Sequence, residues 1–169
     1  SVFMSCTKAP NHRINMIHRM KEELDIGESK YVLSTQEFAD GTKEEGYRYL
    51  TEFSFEILPS WRYLINGIEI EKEIVMAQGS NQIAVNYHLK NRGQKEAALC
   101  VTPFFQFEPK GEDLKEDKIF SRQEQKITDG KYALFFETNG EVEGFTEKKE
   151  TYFYRYDECD GRRENGTAG

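Results

Sequence analysis

Cysteine, histidine and positive charge are all scarce in this chain of 169 residues, and each shortage removes a class of function. The three cysteines, Cys6, Cys100 and Cys159, are odd in number and share no metal-type spacing. His12, His18 and His88 are equally scattered, so no zinc site is expected and the thiols read as buried or incidental. Lysine and arginine number 23 against 30 aspartates and glutamates, a net charge of −7. That field repels phosphate backbones and anionic lipid, which argues against nucleic-acid and membrane partners. No apolar run approaches the roughly 20 residues of a membrane helix, and the first residues lack the basic and apolar blocks of a secretion signal. The chain is therefore expected to be soluble and cytoplasmic, where the Asn165-Gly166-Thr167 sequon has no consequence. A glycine-rich phosphate loop is missing too, and no histidine sits beside a nucleophile elbow; no cofactor is expected.

What the chain does have is rings and alternation. Aromatic residues make up 13%, including 9 tyrosines and 12 phenylalanines, a strand-favouring mixture. Tyr47, Tyr49, Thr51, Phe53, Phe55 and Ile57 fall on one parity and Arg48, Glu52, Ser54 and Glu56 on the other, the pattern of a half-buried strand. The parity continues past Pro59 through Trp61, Tyr63 and Ile65 to Asn66-Gly67, which predicts a type I′ turn with positive φ at both residues. On the return, Ile68, Ile70, Ile74 and Met76 share a face; after Gly79-Ser80-Asn81, so do Ile83, Val85, Tyr87 and Leu89. The result is a β-meander.

The segment Ile14 to Ile26 fits two periods. A helix gathers Ile14, Ile17, Met20 and Leu24, whereas a strand gathers Ile14, Met16, His18, Met20, Leu24 and Ile26, interrupted only by Glu22. The strand is preferred because Gly27-Glu28-Ser29 then closes a hairpin onto Tyr31-Val32-Leu33. Val2 to Cys6 reads as a short strand and Ala9-Pro10-Asn11 as a turn. Ala97 to Phe107 reads as a strand bent or ended near Pro103, and Ile119-Phe120 with Gln125 to Ile127 as an edge strand. Asp129-Gly130 and Asn139-Gly140 read as further hairpin turns, and Val142 to Phe145 and Thr151 to Tyr156 as the last strands. Strands every 8 to 12 residues or so, with almost no helical pattern, predict an all-β, antiparallel β-sandwich built from meanders and hairpins. Residues 1–156 are the expected sandwich domain, and 157–169 read as the start of a linker.

Three candidates for chemistry stand out. Asp157, Glu158 and Asp160 lie close together and could be a glycosidase-like acid cluster, although a solvated charge cluster is the preferred reading. His18 falls on the apolar parity of its strand as a core histidine, while His88 faces water. Trp61, with Tyr63 on the same face, is the candidate sugar contact, since such rings stack on the apolar face of a sugar; core packing is the preferred role for Trp61.

Seven short motifs in order resemble the N-terminal domain of bacterial and archaeal glycogen debranching enzymes, the amylo-α-1,6-glucosidase family. They are Lys8-Ala9-Pro10-Asn11-His12-Arg13, Tyr31-Val32-Leu33-Ser34, Gly46-Tyr47-Arg48-Tyr49-Leu50, Pro59-Ser60-Trp61-Arg62-Tyr63, Ile70-Glu71-Lys72, Gly79-Ser80-Asn81 and Thr102-Pro103-Phe104. The resemblance implies a large, supersandwich-like β-domain ahead of an α/α-barrel that carries the hydrolytic carboxylates. It also supports the strand at Ile14 to Ile26. The family's Tyr-His-Gly stretch, expected just upstream of Val2, is not in this sequence, and Glu164-Asn165-Gly166-Thr167-Ala168-Gly169 resembles the junction before the barrel. No position matches the family's catalytic residues, so none is carried over. The implied role is non-catalytic: support of the barrel of the same polypeptide and contact with α-glucan. The alternative is a free-standing carbohydrate-binding or protein-interaction module. Without its barrel, such a domain should expose an apolar or aromatic patch.

Overall fold

The computed structural model describes residues 1–8, 11–144, 148–161 and 165–169, with the side chain of Glu158 outside that set. In chain order the strands are β1 (Phe3–Lys8), β2 (His12–Ile26), β3 (Ser29–Val32), β4 (Thr35–Glu37), β5 (Lys43–Glu45), β6 (Leu50–Phe55), β7 (Pro59–Ile65), β8 (Ile68–Met76), β9 (Ile83–Asn91), β10 (Ala97–Pro109), β11 (Ser121–Gln123), β12 (Lys126–Thr128), β13 (Ala133–Phe135), β14 (Glu150–Phe153) and β15 (Asn165–Ala168). A 3₁₀ turn at Gly46–Tyr49 and a short helix, α1 (Arg155–Cys159), are the other regular elements among the described residues. The fold is all-β and antiparallel, as the alternation implies. Contacts divide it into two units, residues 20–103 and residues 1–19 with 104–169, to both of which β2 and β10 contribute.

In the unit 20–103, the sheet β6-β7-β8-β9 is the expected meander. Ile65 pairs with Ile68, and Asn66 and Gly67 between them have φ of 48° and 82°, as a type I′ turn requires. The hairpin end of this sheet packs Ile65, Ile68 and Ile70 on Leu24 and Ile26 of β2 and on Leu33, with Tyr31, Tyr49, Tyr63, Ala97 and Leu99 around them. These facing layers form the sandwich. The preferred strand at Ile14 to Ile26 is formed, and Ile26 pairs with Ser29 across Gly27-Glu28.

The start of the meander differs from the sequence reading. Residues 46–49 form a 3₁₀ turn because Gly46 is pressed against the preceding segment: its N–H donates to the Ser34 carbonyl at 3.0 Å, and a Cβ there would lie inside the Leu33 carbonyl. Tyr49 is thereby set edge-on to Tyr31, with ring centroids 6.0 Å apart. The β6–β7 register then shifts between Leu50 and Glu52, so Leu50 pairs with Tyr63 while Phe53 pairs with Trp61. Thr51 is the extra residue of this bulge, and its hydroxyl donates to the Arg62 carbonyl at 3.0 Å.

In the other unit, β1 pairs with β2, and β11, β12 and β13 form a small sheet. β10 does not end at Pro103; alternating burial before that residue becomes continuous burial from Phe104 to Glu108, where the chain enters this unit. Asp129-Gly130 lies in the turn joining β12 to β13, as expected. Asn139-Gly140 joins no strands, residues 142–144 are not a strand, and Phe145 lies outside the described residues, as do Ala9 and Pro10 of the expected early turn. β14 stops at Phe153, and α1 follows. Within 157–169, read from its polarity as linker, Asn165–Ala168 forms β15 and pairs with β14.

The Asn66-Gly67 turn offers a direct check of the register. Nothing lies within 4 Å of a Cβ added at Gly67, so Gly67→Val is disfavoured only by its left-handed backbone. The expected loss is about 1–2 kcal/mol, seen as a lowered melting temperature. An unchanged melting temperature would contradict the pairing of Ile65 with Ile68.

Candidate functional site

Trp61 and Tyr63 stand on one face of the meander together with Phe53 and Phe55, as their pairing dictates. Trp61, expected to be largely buried, is only half-buried, and so is Tyr63. The buried apolar cluster lies at the hairpin end of the sheet. Beyond it Phe53 is 55% exposed, Phe55 69% and Ile57 89%, on or beside edge strand β6. Phe53 and Trp61 lie 5.2 Å apart, ring centroid to ring centroid, and form an open aromatic step. The opposite face is polar: Arg62 bridges Glu52 at 2.6 Å and Glu71 at 3.1 Å across three strands. One face of this sheet is thus suited to water and the other is apolar and incompletely covered.

Two residues break the apolar parity here, and they meet. Glu22 interrupts the period-two run of β2, and Lys72 lies between Ile70 and Ile74 on the inward face of β8. The Lys72 ammonium donates to the Glu22 carboxylate; Glu22 is buried and the Lys72 side chain nearly so, at 14% exposure. The Tyr87 hydroxyl donates to the same Glu22 oxygen at 2.9 Å. Burial, reinforced by the Glu22 charge, pushes the Tyr63 phenol up to about 12 and the Tyr87 phenol further still. Lys72 Nζ also lies 5.6 Å from the centre of the Trp61 ring, so the buried ion pair forms part of the support beneath the aromatic step.

The other unit contains a second polar cluster. His18 Nε2 and the Tyr154 hydroxyl are 3.0 Å apart, His18 Nδ1 lies 3.1 Å from the Asn15 amide, and the ring stacks on Tyr152 at 4.9 Å. Asn15 also bonds Gln106. Arg19 lies over the rings of Phe104 and Tyr152 and 3.6 Å from Glu150. Burial brings His18 from 6.5 down to about 4, so it is neutral near pH 7. A base depressed in the fold contributes stability that is complete above its unfolded value and is lost as pH falls from 6.5 toward 4. About 2–3 kcal/mol is expected to disappear, allowing for partial exposure. Urea unfolding of His18→Gln, compared with the parent between pH 6.5 and 5, should show the flatter profile. Equal slopes would dismiss His18 as the source.

The remaining candidates do not assemble. Cys6, Cys100 and Cys159 are exposed and in no disulfide, so burial does not account for them. His12 bonds Thr7 at the surface, and His88 is exposed with Glu73 at 3.9 Å. Asp157 lies on α1, Asp160 follows that helix, and the Glu158 side chain lies outside the described residues. Among the described residues no cluster of His, Cys, Asp and Glu could hold a metal ion, and no helix is long and apolar enough to cross a membrane. The buried carboxylates, Glu22, Glu108 and Glu150, escaped sequence reasoning. Glu22 alone gave a signal, as a charge on an apolar parity.

Comparison with known proteins adds a family. The model described as "Glycogen debranching enzyme N terminal" matches residues 1–167. A membrane protein insertase YidC from Thiobacillus denitrificans is 32% identical over 60 residues, which are 36% of this chain and 11% of that protein. The chain thus matches only about a tenth of that relative's length. No solved structure matches.

Proposed function

Because the chain belongs to the family of glycogen debranching enzyme N-terminal domains, we propose that it is a non-catalytic β-sandwich which supports the catalytic barrel of the same polypeptide and helps receive an α-glucan branch. The observation that carries this reading is the incompletely covered face at Phe53, Phe55 and Ile57, large apolar side chains left in water on a sheet whose other end is packed. A neighbouring domain covering them would remove apolar area worth about 25 cal/mol per Å². In the whole enzyme the reaction is hydrolysis of an α-1,6 branch by two carboxyl groups, one protonating the leaving oxygen and the other activating water or attacking. The buried carboxylates of this chain do not fit that work. Glu22 is held by Lys72 and Tyr87, Glu108 by Lys118, and Glu150 by Lys148 and Arg19.

The purified chain should release no glucose from limit dextrin, and joining the downstream domain should restore release while slowing amide exchange across residues 53–57. Turnover by the isolated chain that disappears in the combined Asp157→Asn, Glu158→Gln, Asp160→Asn variant would overturn the support role.

A further inference from the structure

Away from the aromatic step, the unit 20–103 has a small cavity of about 330 Å³ at its hairpin end. Its floor is apolar: Ile26 and Ile68 are buried there, and Tyr31 forms one wall. Three turns make the rim, Gly27 to Ser29, Asn66-Gly67 and the loop Arg92 to Glu96, and backbone bonds tie them together. Gly27 N–H donates to the Glu96 carbonyl at 3.4 Å and Arg92 N–H to the Gly67 carbonyl at 3.2 Å. Side chains brace the same frame. The Asn66 amide donates to the Tyr31 hydroxyl at 2.7 Å, and Asn91 both donates to the Lys95 carbonyl and accepts from Gly93 N–H, each at 2.8 Å. The rim is therefore preorganised, which lowers the entropy lost on binding.

None of the polar side chains at the mouth is acidic. Ser29, Asn66, Asn91, Gln94 and Lys95 offer a hydroxyl, three carboxamides and one ammonium, and no carboxylate lines the cavity in a chain that has 30 acidic residues. An anion would meet a lone cation among neutral amides, and a cation would meet no counter-charge. A neutral ring with hydroxyls round its edge and a C–H face suits both halves of the site: the face lies against Tyr31, and the hydroxyls exchange hydrogen bonds with Gln94 and Ser29, each of which can donate and accept. The volume is at the small end of ligand cavities, room for a single ring rather than a long chain.

We propose that this cavity binds one hexose unit of an α-glucan, as a holding point distinct from the aromatic face. The proposal rests on the glucan-handling reading above, and its test separates the two. The ¹⁵N-labelled chain is titrated with maltose. Saturable millimolar shifts are expected at the amides of Gly27, Gly67, Gly93 and Lys95, and the double variant Gln94→Ala, Lys95→Ala should weaken binding about tenfold. Both residues are exposed, so an otherwise unchanged amide spectrum will confirm that the variant is folded. Shifts confined to Phe53, Phe55 and Trp61, undiminished binding by the double variant, or no saturable shift would each overturn the cavity as a hexose site. In those cases the support role stands or falls by the exchange protection of residues 53–57.

Discussion

Lys72→Ala should destabilise the chain by about 3–5 kcal/mol in urea unfolding at neutral pH, far more than a surface lysine would. The loss comes from what remains behind. Glu22 is 5% exposed, and with Lys72 gone its carboxylate keeps the Tyr87 hydroxyl but loses its counter-ion. A buried charge stripped of its counter-ion retains its whole desolvation cost, whereas removing both charges relieves it. The double variant Glu22→Leu, Lys72→Met should therefore be close to the parent in stability. The position of Lys72 adds a second readout: its ammonium stands 5.6 Å from the Trp61 ring centre, so its loss should change the environment of the single tryptophan and shift its emission. If Lys72→Ala were no less stable than the double variant, the pair would not be the joint between β2 and the meander that its burial implies.

That pair also shows where sequence reading stops. Glu22 and Lys72 are each visible as a charge on an apolar parity, but they are 50 residues apart and nothing local says that one answers the other. Hairpins were legible at Gly27-Glu28 and Asn66-Gly67 because a turn dipeptide and a period of two are both local signals. The bulge at Thr51 was not, since alternation describes each strand and is silent about a one-residue slip against its neighbour. Tyr47 and Tyr49 share the strand parity, yet Gly46 before them must be glycine because of the carbonyl of Leu33, a contact made only in the folded chain. Trp61 shows the same limit: its face was legible, and how much of that face is covered was not. The polar cluster around His18 is of this kind too. Parity placed the histidine inward, but its partners Gln106, Tyr152 and Tyr154 are remote from it in sequence.

Removing residues 165–169 should abolish cooperative folding of the unit formed by 1–19 and 104–169, the largest effect expected of any change considered. Composition marks this tail as dispensable, being short, polar and glycine-containing. Its neighbours make it structural. β15 supplies the whole ladder to β14, and Ala168 and Tyr152 are both fully buried there. Gly169 exchanges two backbone bonds with Phe105 of β10, Leu114 N–H donates to the Thr167 carbonyl at 3.1 Å, and the Gln106 amide donates to the same carbonyl at 3.0 Å. Each buried donor or acceptor left without a partner costs about 1–3 kcal/mol, so a handful of them approaches the roughly 5–15 kcal/mol that holds an ordinary domain together. A milder version tests the same packing: a Cβ at Gly166 would come within 2.8 Å of the Tyr154 ring, so Gly166→Ala should push that ring off the strand and weaken its contact with His18. Amide spectra decide the matter. Loss of dispersion at Phe105, Gln106 and Tyr152 in the shortened chain is the expected result, and a spectrum unchanged across 104–153 would return the tail to the linker it resembles in sequence.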